Sequence, residues 1–331
     1  MKTIPVFHAR HMLPFLDYCR REGLAVEPSL RKFKLPAELC DGDNIYLPQI
    51  AGYSALDDIG QREGVPDMAP RALGRAVVDD YGDVIAGAVA SATNLYTAIK
   101  QLQGIAKTED ASIIITVRVD HGTAYLCARM DNAEFQCNAW SVLMLLLGTV
   151  KIFAGTEWQP RHITLTSPRL PGFDSRYIFP AAKVFWGAGQ VSVSFPTALL
   201  GQPPKTGNIR AADSASPLAL EIAIKGLIKA YLPAGSVKIN QIAEMAEINP
   251  RTLQRHLAKL GLSYSGLVDQ ARFERASELL RESDLKAVDI AFETGYADPS
   301  HFSRAFRRIA GNSPREYRRQ QRQAQCQRND G

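Results

Sequence analysis

Residues 289–318 read DIAFETGYADPSHFSRAFRRIAGNSPREYR. An apolar pair, Ile290-Ala291, leads through Gly295-Tyr296 to Asp298-Pro299-Ser300. Aspartate is a good helix N-cap, and proline suits the first helical position, where a backbone N–H would be unpaired anyway. Phe302, Phe306 and Ile309 then fall at i, i+4 and i+7, one apolar stripe. The opposite face carries Ser300, His301, Ser303, Arg304, Arg307 and Arg308. The small Ala291 lets two helices cross closely, and Gly295 supplies the positive φ that a tight turn between them needs. The pattern predicts a helix-turn-helix whose capped, basic second helix offers its outward side chains to base edges in a DNA major groove.

The same order recurs upstream. Ile242-Ala243 leads through Glu247-Ile248 to Asn249-Pro250-Arg251, with Leu253, Leu257 and Leu260 as the stripe. Arg251, Thr252, Gln254, Arg255 and Lys259 face outward. Arginine pairs with guanine and glutamine with adenine in the major groove. The two turns, at Glu247 and Gly295, lie 48 residues apart. Between them Tyr264–Arg281 carries one long helical period, enough to hold both units rigidly so that their reading helices enter successive major-groove segments, about 34 Å apart. The rest of this half is helical too, over Glu221–Leu232, Ile239–Ala246, Pro250–Leu260, Ala287–Glu293, Pro299–Ala310 and Pro314–Gln323.

Residues ~217–320 resemble the DNA-binding domain of AraC/XylS-type transcription regulators. The carrying stretches are IAEMAEINPRTLQRHLAKLGLSYSGLVDQARFERASELL and DIAFETGYADPSHFSRAFRRIAGNSPREYRR. The resemblance implies base and phosphate contacts from Arg251, Gln254 and Arg255 in the first reading helix, and from Ser300, His301, Ser303 and Arg304 in the second. Glu247 departs from the family pattern, which has glycine there, and a non-glycine residue at positive φ costs on the order of 1 kcal/mol. The N-terminal ~200 residues resemble, more loosely, the effector domain of the family branch that includes regulators of amino-acid catabolism such as ornithine utilisation. That likeness rests on PQIAGYSALDDIGQREGVPDMA, on Trp158-Gln159-Pro160 and on FPTALLGQP.

Charge divides the chain in the same way. Residues 1–216 hold 21 basic and 21 acidic side chains, whereas residues 217–331 hold 18 and 13, so the second half carries the whole +5 excess. Within 300–322 seven arginines face one acid, Glu316. A neutral half joined to a basic half points to a polyanion partner for the second half alone. At 331 residues with 46% hydrophobic and 22% charged side chains, the chain reads as two globular domains, not a disordered or fibrous one. Five cysteines without a C-x-x-C pair argue against a disulfide framework and fit a reducing compartment. The opening MKTIPVFHARHMLPF has no apolar signal region. The most apolar stretch, Phe135–Val150, has sixteen residues, short for a membrane span of ~20, and reads as a buried helix.

The first half mixes both periods. Residues 86–106 and 135–154 read as helices. SIIITVRVD (Ser112–Asp120) and TAYLCARM (Thr123–Met130) read as strands joined by a His121-Gly122 hairpin turn. HITLTS (His162–Ser167) and QVSVSF (Gln190–Phe195) are two more strands. This organisation predicts an α+β effector and dimerisation domain over 1–201, a Pro/Gly/Ser-rich linker over 202–216, an all-α DNA-binding domain with two helix-turn-helix units over 217–323, and a tail over 324–331. Tyr96, Arg118, Trp140 and Trp186 are the candidate effector contacts, aromatics for an apolar cavity and an arginine for a carboxylate. The histidines lack metal-ligand spacing, no G-x-G-x-x-G, G-K-[ST] or G-x-S-x-G occurs, and no catalytic signature is present. The reading is therefore a cytoplasmic transcription regulator and not an enzyme, with no metal or cofactor, and the resemblance implies a homodimer and an activator. Its partners are double-stranded DNA, RNA polymerase and a small-molecule effector, an amino acid or small carboxylate. The alternative replaces the effector with a protein anti-activator.

Overall fold

The computed structural model describes residues 6–36, 45–74, 85, 87, 89, 91–109, 113–130, 135–170, 172–205, 220–235, 237–245 and 249–329. The chain divides into two compact units, residues 1–41 with 47–219 and residues 220–331, to which 42–46 are assigned. Of the expected linker, 202–205 are described and 206–216 lie outside the described residues.

In the N-terminal unit a two-stranded sheet pairs β1 (Val6–His8) with β2 (Tyr46–Pro48). Around it lie α1 (Leu13–Glu22), α2 (Glu27–Lys32), α3 (Gln49–Arg62) and α4 (Met68–Leu73). Gly52 of α3 is required by this packing, since a Cβ there would sit 2.5 Å from the Phe7 ring. Next come α5 (Leu95–Glu109) and a second sheet formed by β3 (Ile114–Asp120), β4 (Thr123–Arg129), β5 (His162–Thr164), β6 (Lys183–Phe185) and β7 (Val191–Pro196). Its order is β3-β4-β7-β5-β6, antiparallel except for the parallel β5–β6 pair. The expected hairpin turn is present: His121 lies at φ +42° and Gly122 at φ +81°, the two positive angles that suit the twist of a two-residue hairpin.

The apolar helix α6 (Gln136–Ala154) packs on β7 and β4. It is long and apolar enough to cross a membrane, but 83% of its most apolar stretch is buried inside the protein, so it is the core helix of this unit. Phe135, just before it, gives no side-chain cap; Asp57 of α3 does, accepting from the backbone N–H of Gln136 at 3.3 Å and Cys137 at 3.5 Å. Burial pushes the Asp57 carboxyl up, and these hydrogen bonds oppose the push.

Two expectations need correction. The helix expected over 86–106 does not run through: the chain breaks helix at Ser91–Asn94 and starts again at Leu95. The cause is Asn94, whose side chain accepts from Thr97 N–H at 2.9 Å and caps the new helix. The strand expected over His162–Ser167 stops at Thr164, and the fold adds three further short strands, β1, β2 and β6, to the four expected.

The C-terminal unit is helical. Its described residues form seven α-helices: α7 (Leu220–Tyr231), α8 (Ile239–Met245), α9 (Pro250–Lys259), α10 (Tyr264–Glu282), α11 (Ala287–Glu293), α12 (Pro299–Ala310) and α13 (Pro314–Asn329). Alpha-10 packs against α7 through an ion-pair ladder. Lys225 meets Glu274 at 2.8 Å, and the buried Lys229 meets Glu274 at 2.8 Å and Glu278 at 3.1 Å. Burial raises the Glu274 carboxyl, but the hydrogen bonds from Lys225 and Lys229 outweigh it and hold the group below its ordinary value.

Candidate nucleic-acid interface

The interface is built from two short helix pairs, α8 with α9 and α11 with α12. In both, the first helix contributes a fully buried Ile-Ala pair, Ile242-Ala243 and Ile290-Ala291. The second helix then opens on a capping side chain: Asn249 Oδ1 accepts from Arg251 N–H at 2.9 Å, and Asp298 Oδ1 accepts from Ser300 N–H at 2.8 Å. That bond satisfies one of the donors that every helix start leaves unpaired, and it fixes the direction in which the next turn projects its side chains. The Ser300 backbone bond also holds the Asp298 carboxyl below its ordinary range, helped by the nearby charges of His301 and Arg304.

The second turn is over-determined. Gly295 sits at φ +74°, and a Cβ there would lie 2.9 Å from the Leu232 carbonyl and 3.0 Å from that of Gly235. Glycine is thus required twice, for the backbone angle and for space. Arg272 of α10 donates to the Gly295 carbonyl at 2.9 Å and stacks its guanidinium 4.6 Å from the centre of the Tyr296 ring. The first turn, with Glu247, lies outside the described residues. The two units differ by one residue all the same. Six positions separate Ala243 from Asn249 and seven separate Ala291 from Asp298, so the caps are 49 apart where the alanines are 48 apart.

The apolar stripes are shorter than expected. Leu253 and Leu257 are buried, as are Phe302 and Phe306, but Leu260 is 57% exposed and Ile309 45% exposed. The reason is the position of both residues at a helix end. Leu260 is the C-cap residue just past α9, and Ile309 lies in the last turn of α12.

On the outward faces Arg251, Gln254 and Arg255 are exposed and Thr252 is half-buried. Ser300, His301, Ser303, Arg304, Arg307 and Arg308 are all exposed. Two of these are tied within the protein: His301 lies 3.6 Å from Asp298, and Arg308 pairs with Asp269 of α10 at 2.9 Å. The arginine run divides further. Arg318 donates to the carbonyls of Leu280 (3.2 Å) and Leu285 (2.6 Å), closing the end of α10, and Arg322 pairs with Asp284. Arg304, Arg307, Arg315 and Arg319 stand exposed, and among the described residues none of the four forms an ion pair.

Sequence reasoning missed several of the residues that hold this surface. Ser313 and Glu316 form a capping box at the start of α13, with Ser313 N–H donating to Glu316 at 2.9 Å and Glu316 N–H to Ser313 Oγ at 3.3 Å. The Ser-x-x-Glu spacing was the available signal. Arg272 and Asp269 carry no such signal, since only the fold brings them to the second unit.

In the N-terminal unit the four candidate effector contacts separate into two kinds. Trp140 is fully buried and Trp186 half-buried, their rings 6.3 Å apart in a cluster with Phe173 and Phe179. Tyr96 is 48% exposed with the Lys100 ammonium 5.5 Å from its ring, and Arg118 lies on an exposed strand position over Tyr125, at 4.7 Å.

Residues 242–320 match the family model described as a helix-turn-helix domain. The chain is 36% identical over 103 residues to the HTH-type transcriptional regulator VirS of Mycobacterium tuberculosis, covering 31% of this chain and 30% of that protein. It is 35% identical over 86 residues to the ornithine utilization regulator of Pseudomonas aeruginosa, covering 26% and 25%. Among solved structures, the transcriptional regulator CdpR of Pseudomonas aeruginosa aligns over 94% of this chain and 98% of its own, at 21% identity and a TM-score of 0.36. The matched segments span less than a third of each of the two curated relatives. Residues 242–320, with two capped helix pairs on one connecting helix, are a helix-turn-helix domain of the kind AraC-type transcription regulators carry.

Proposed function

We propose that this chain is a sequence-specific DNA-binding transcription regulator in which α9 and α12 enter successive major-groove segments of one DNA face. The observation that carries the reading is the repeated cap. Asn249 and Asp298 fix two helices whose outward turns present Arg251, Gln254 and Arg255 in one case and Ser300, Ser303 and Arg304 in the other. In this reading Arg304 pairs bidentately with a guanine, and Gln254 with an adenine. Thr252, His301 and Arg307 complete the contact set, and Arg308 joins it by exchanging Asp269 for a phosphate. Arg319, exposed on α13, meets the phosphate backbone and adds affinity without sequence preference.

The N-terminal unit responds to a small-molecule effector, whose unequal affinity for two arrangements of the protein changes DNA engagement or contact with RNA polymerase. A homodimer binding two half-sites fits this use. The test is anisotropy on DNA enriched from a random library. Arg304→Ala is expected to weaken the enriched site by about 1–3 kcal/mol while leaving scrambled DNA unchanged. Arg319→Ala is expected to weaken both alike and flatten the salt dependence. Equal loss on both sequences for Arg304→Ala removes it from base reading.

A further inference from the structure

A cavity of about 650 Å³ opens in the N-terminal unit, where Leu170, Phe173, Val184 and Trp186 supply apolar wall. The Phe173 and Trp186 rings meet at 87° with centroids 6.4 Å apart. Both are backed by Trp140, which stands edge-on to Phe173 at 5.6 Å and is itself fully buried. Two aromatic rings meeting edge to face leave no gap between them but form a corner against which a flat apolar body can lie. Among the described residues the indole N–H of the fully buried Trp140 finds no acceptor.

The polar side of the cavity is asymmetric. It holds Arg169, Asp174 and Arg176. Asp174 is occupied already: it accepts from Arg176 through the backbone N–H at 3.0 Å, Nε at 2.9 Å and Nη2 at 2.6 Å. These bonds hold its carboxyl down to about 2. One arginine and one carboxylate thus cancel. Arg169 is left over, exposed, and among the described residues it forms no ion pair.

We propose that this cavity binds an organic carboxylate with a flat apolar body, its carboxylate on Arg169 and its body against Phe173 and Trp186. The proposal rests on the effector reading above and names the ligand class. An unpaired guanidinium recognises a carboxylate through two parallel hydrogen bonds. The site disfavours an α-amino acid with the same body, because Asp174, the one carboxylate available to an ammonium group, is taken by Arg176.

Three probes share one skeleton: 3-phenylpropionate, its neutral amide, and phenylalanine, which adds the ammonium group. The protein has three tryptophans, so in the full-length Trp158→Phe variant Trp140 and Trp186 are the emitters. 3-Phenylpropionate is expected to quench this fluorescence saturably, with the amide and phenylalanine each binding about tenfold more weakly or worse. Arg169→Gln, an exposed substitution that leaves the thermal melt unchanged, is expected to bring the carboxylate down to the amide. No saturable quenching by 3-phenylpropionate, equal binding of the amide, or an unchanged constant in Arg169→Gln overturns the proposal. DNA binding by the ligand-free protein is measured alongside. Sequence-specific DNA binding without carboxylate binding sinks the site and spares the regulator. Carboxylate binding that leaves DNA affinity unchanged supports the site and removes its regulatory role.

Discussion

In the second helix-turn-helix unit, α10 engages its neighbours four ways: Arg272 on the Gly295 carbonyl, Arg272 under Tyr296, Asp269 on Arg308, and the Phe273 ring 5.1 Å from Phe306. In the first unit the described contact of this kind is one hydrogen bond, from the Tyr264 hydroxyl to the Val237 carbonyl at 3.0 Å. The packing differs in the same sense. Phe302 and Phe306 belong to an aromatic cluster with Phe273, Tyr296 and Tyr317, whereas α9 buries two leucines. The two units share a cap and a stripe, yet one is fastened along the connecting helix and the other at its end. Among the described residues the second unit carries more side-chain ties to α10, and a reading helix fastened on several sides is pre-organised for its groove segment.

The comparison can be broken most forcefully at the cores. Phe302→Ala is expected to cost about 3–5 kcal/mol, and Leu253→Ala an amount in the lower part of the ~2–5 kcal/mol range, both read by denaturant unfolding. A Leu253→Ala loss above that of Phe302→Ala reverses the ranking of the two units. Gly295→Ala comes next. Positive φ alone costs about 1–3 kcal/mol, and the overlap with the Leu232 carbonyl adds to it. If the melt of Gly295→Ala matches that of the parent, the turn is not over-determined. Tyr264→Phe, which removes the hydrogen bond to the Val237 carbonyl ahead of α8, is expected to cost about 1 kcal/mol and to speed amide exchange in α8 and α9 while leaving α12 protected. Faster exchange in α12 instead contradicts the separation.

The smallest effect concerns the caps. Asn249 does not titrate, while the Asp298 carboxyl is held low by the Ser300 backbone bond. A carboxyl depressed in the folded state stabilises above its unfolded value, near 3.9, and loses that contribution as pH falls through its lower folded value. Acid is therefore expected to loosen α12 before α9, and Asp298→Asn, which keeps a capping oxygen, should remove the difference. Heteronuclear spectra recorded from pH 5 to pH 2 decide it. Parallel loosening of both helices excludes the cap as the cause.

Much of the C-terminal unit was legible because its signals are local. Asn249-Pro250, Asp298-Pro299 and Gly295 each dictate backbone geometry within a few residues, and Ala287–Glu293 and Pro299–Ala310 begin and end where the pattern placed them. What failed there was the end of each stripe: Leu260 falls past the last residue of α9 and Ile309 in the last turn of α12, and both are exposed. In the N-terminal unit the hairpin at His121-Gly122 was legible for the same local reason. The cap of α6 was not, since it comes from Asp57, 79 residues away. Trp140 and Trp186 were singled out by residue type, but Phe173, Arg169 and Asp174 join them only through the loop that follows β5.

Two reading helices on one protomer make a demand on DNA that no single helix makes. The most direct measurement is a hydroxyl-radical footprint on DNA enriched by this protein from a random library. Two protected blocks per protomer, centred about one helical turn apart on the same face, are expected. Substituting Gln254 and Arg255 by alanine should erase one block, and substituting Ser303 and Arg304 by alanine the other. A single block that survives either pair of substitutions, or a library that yields no enriched sequence, contradicts recognition by two helices.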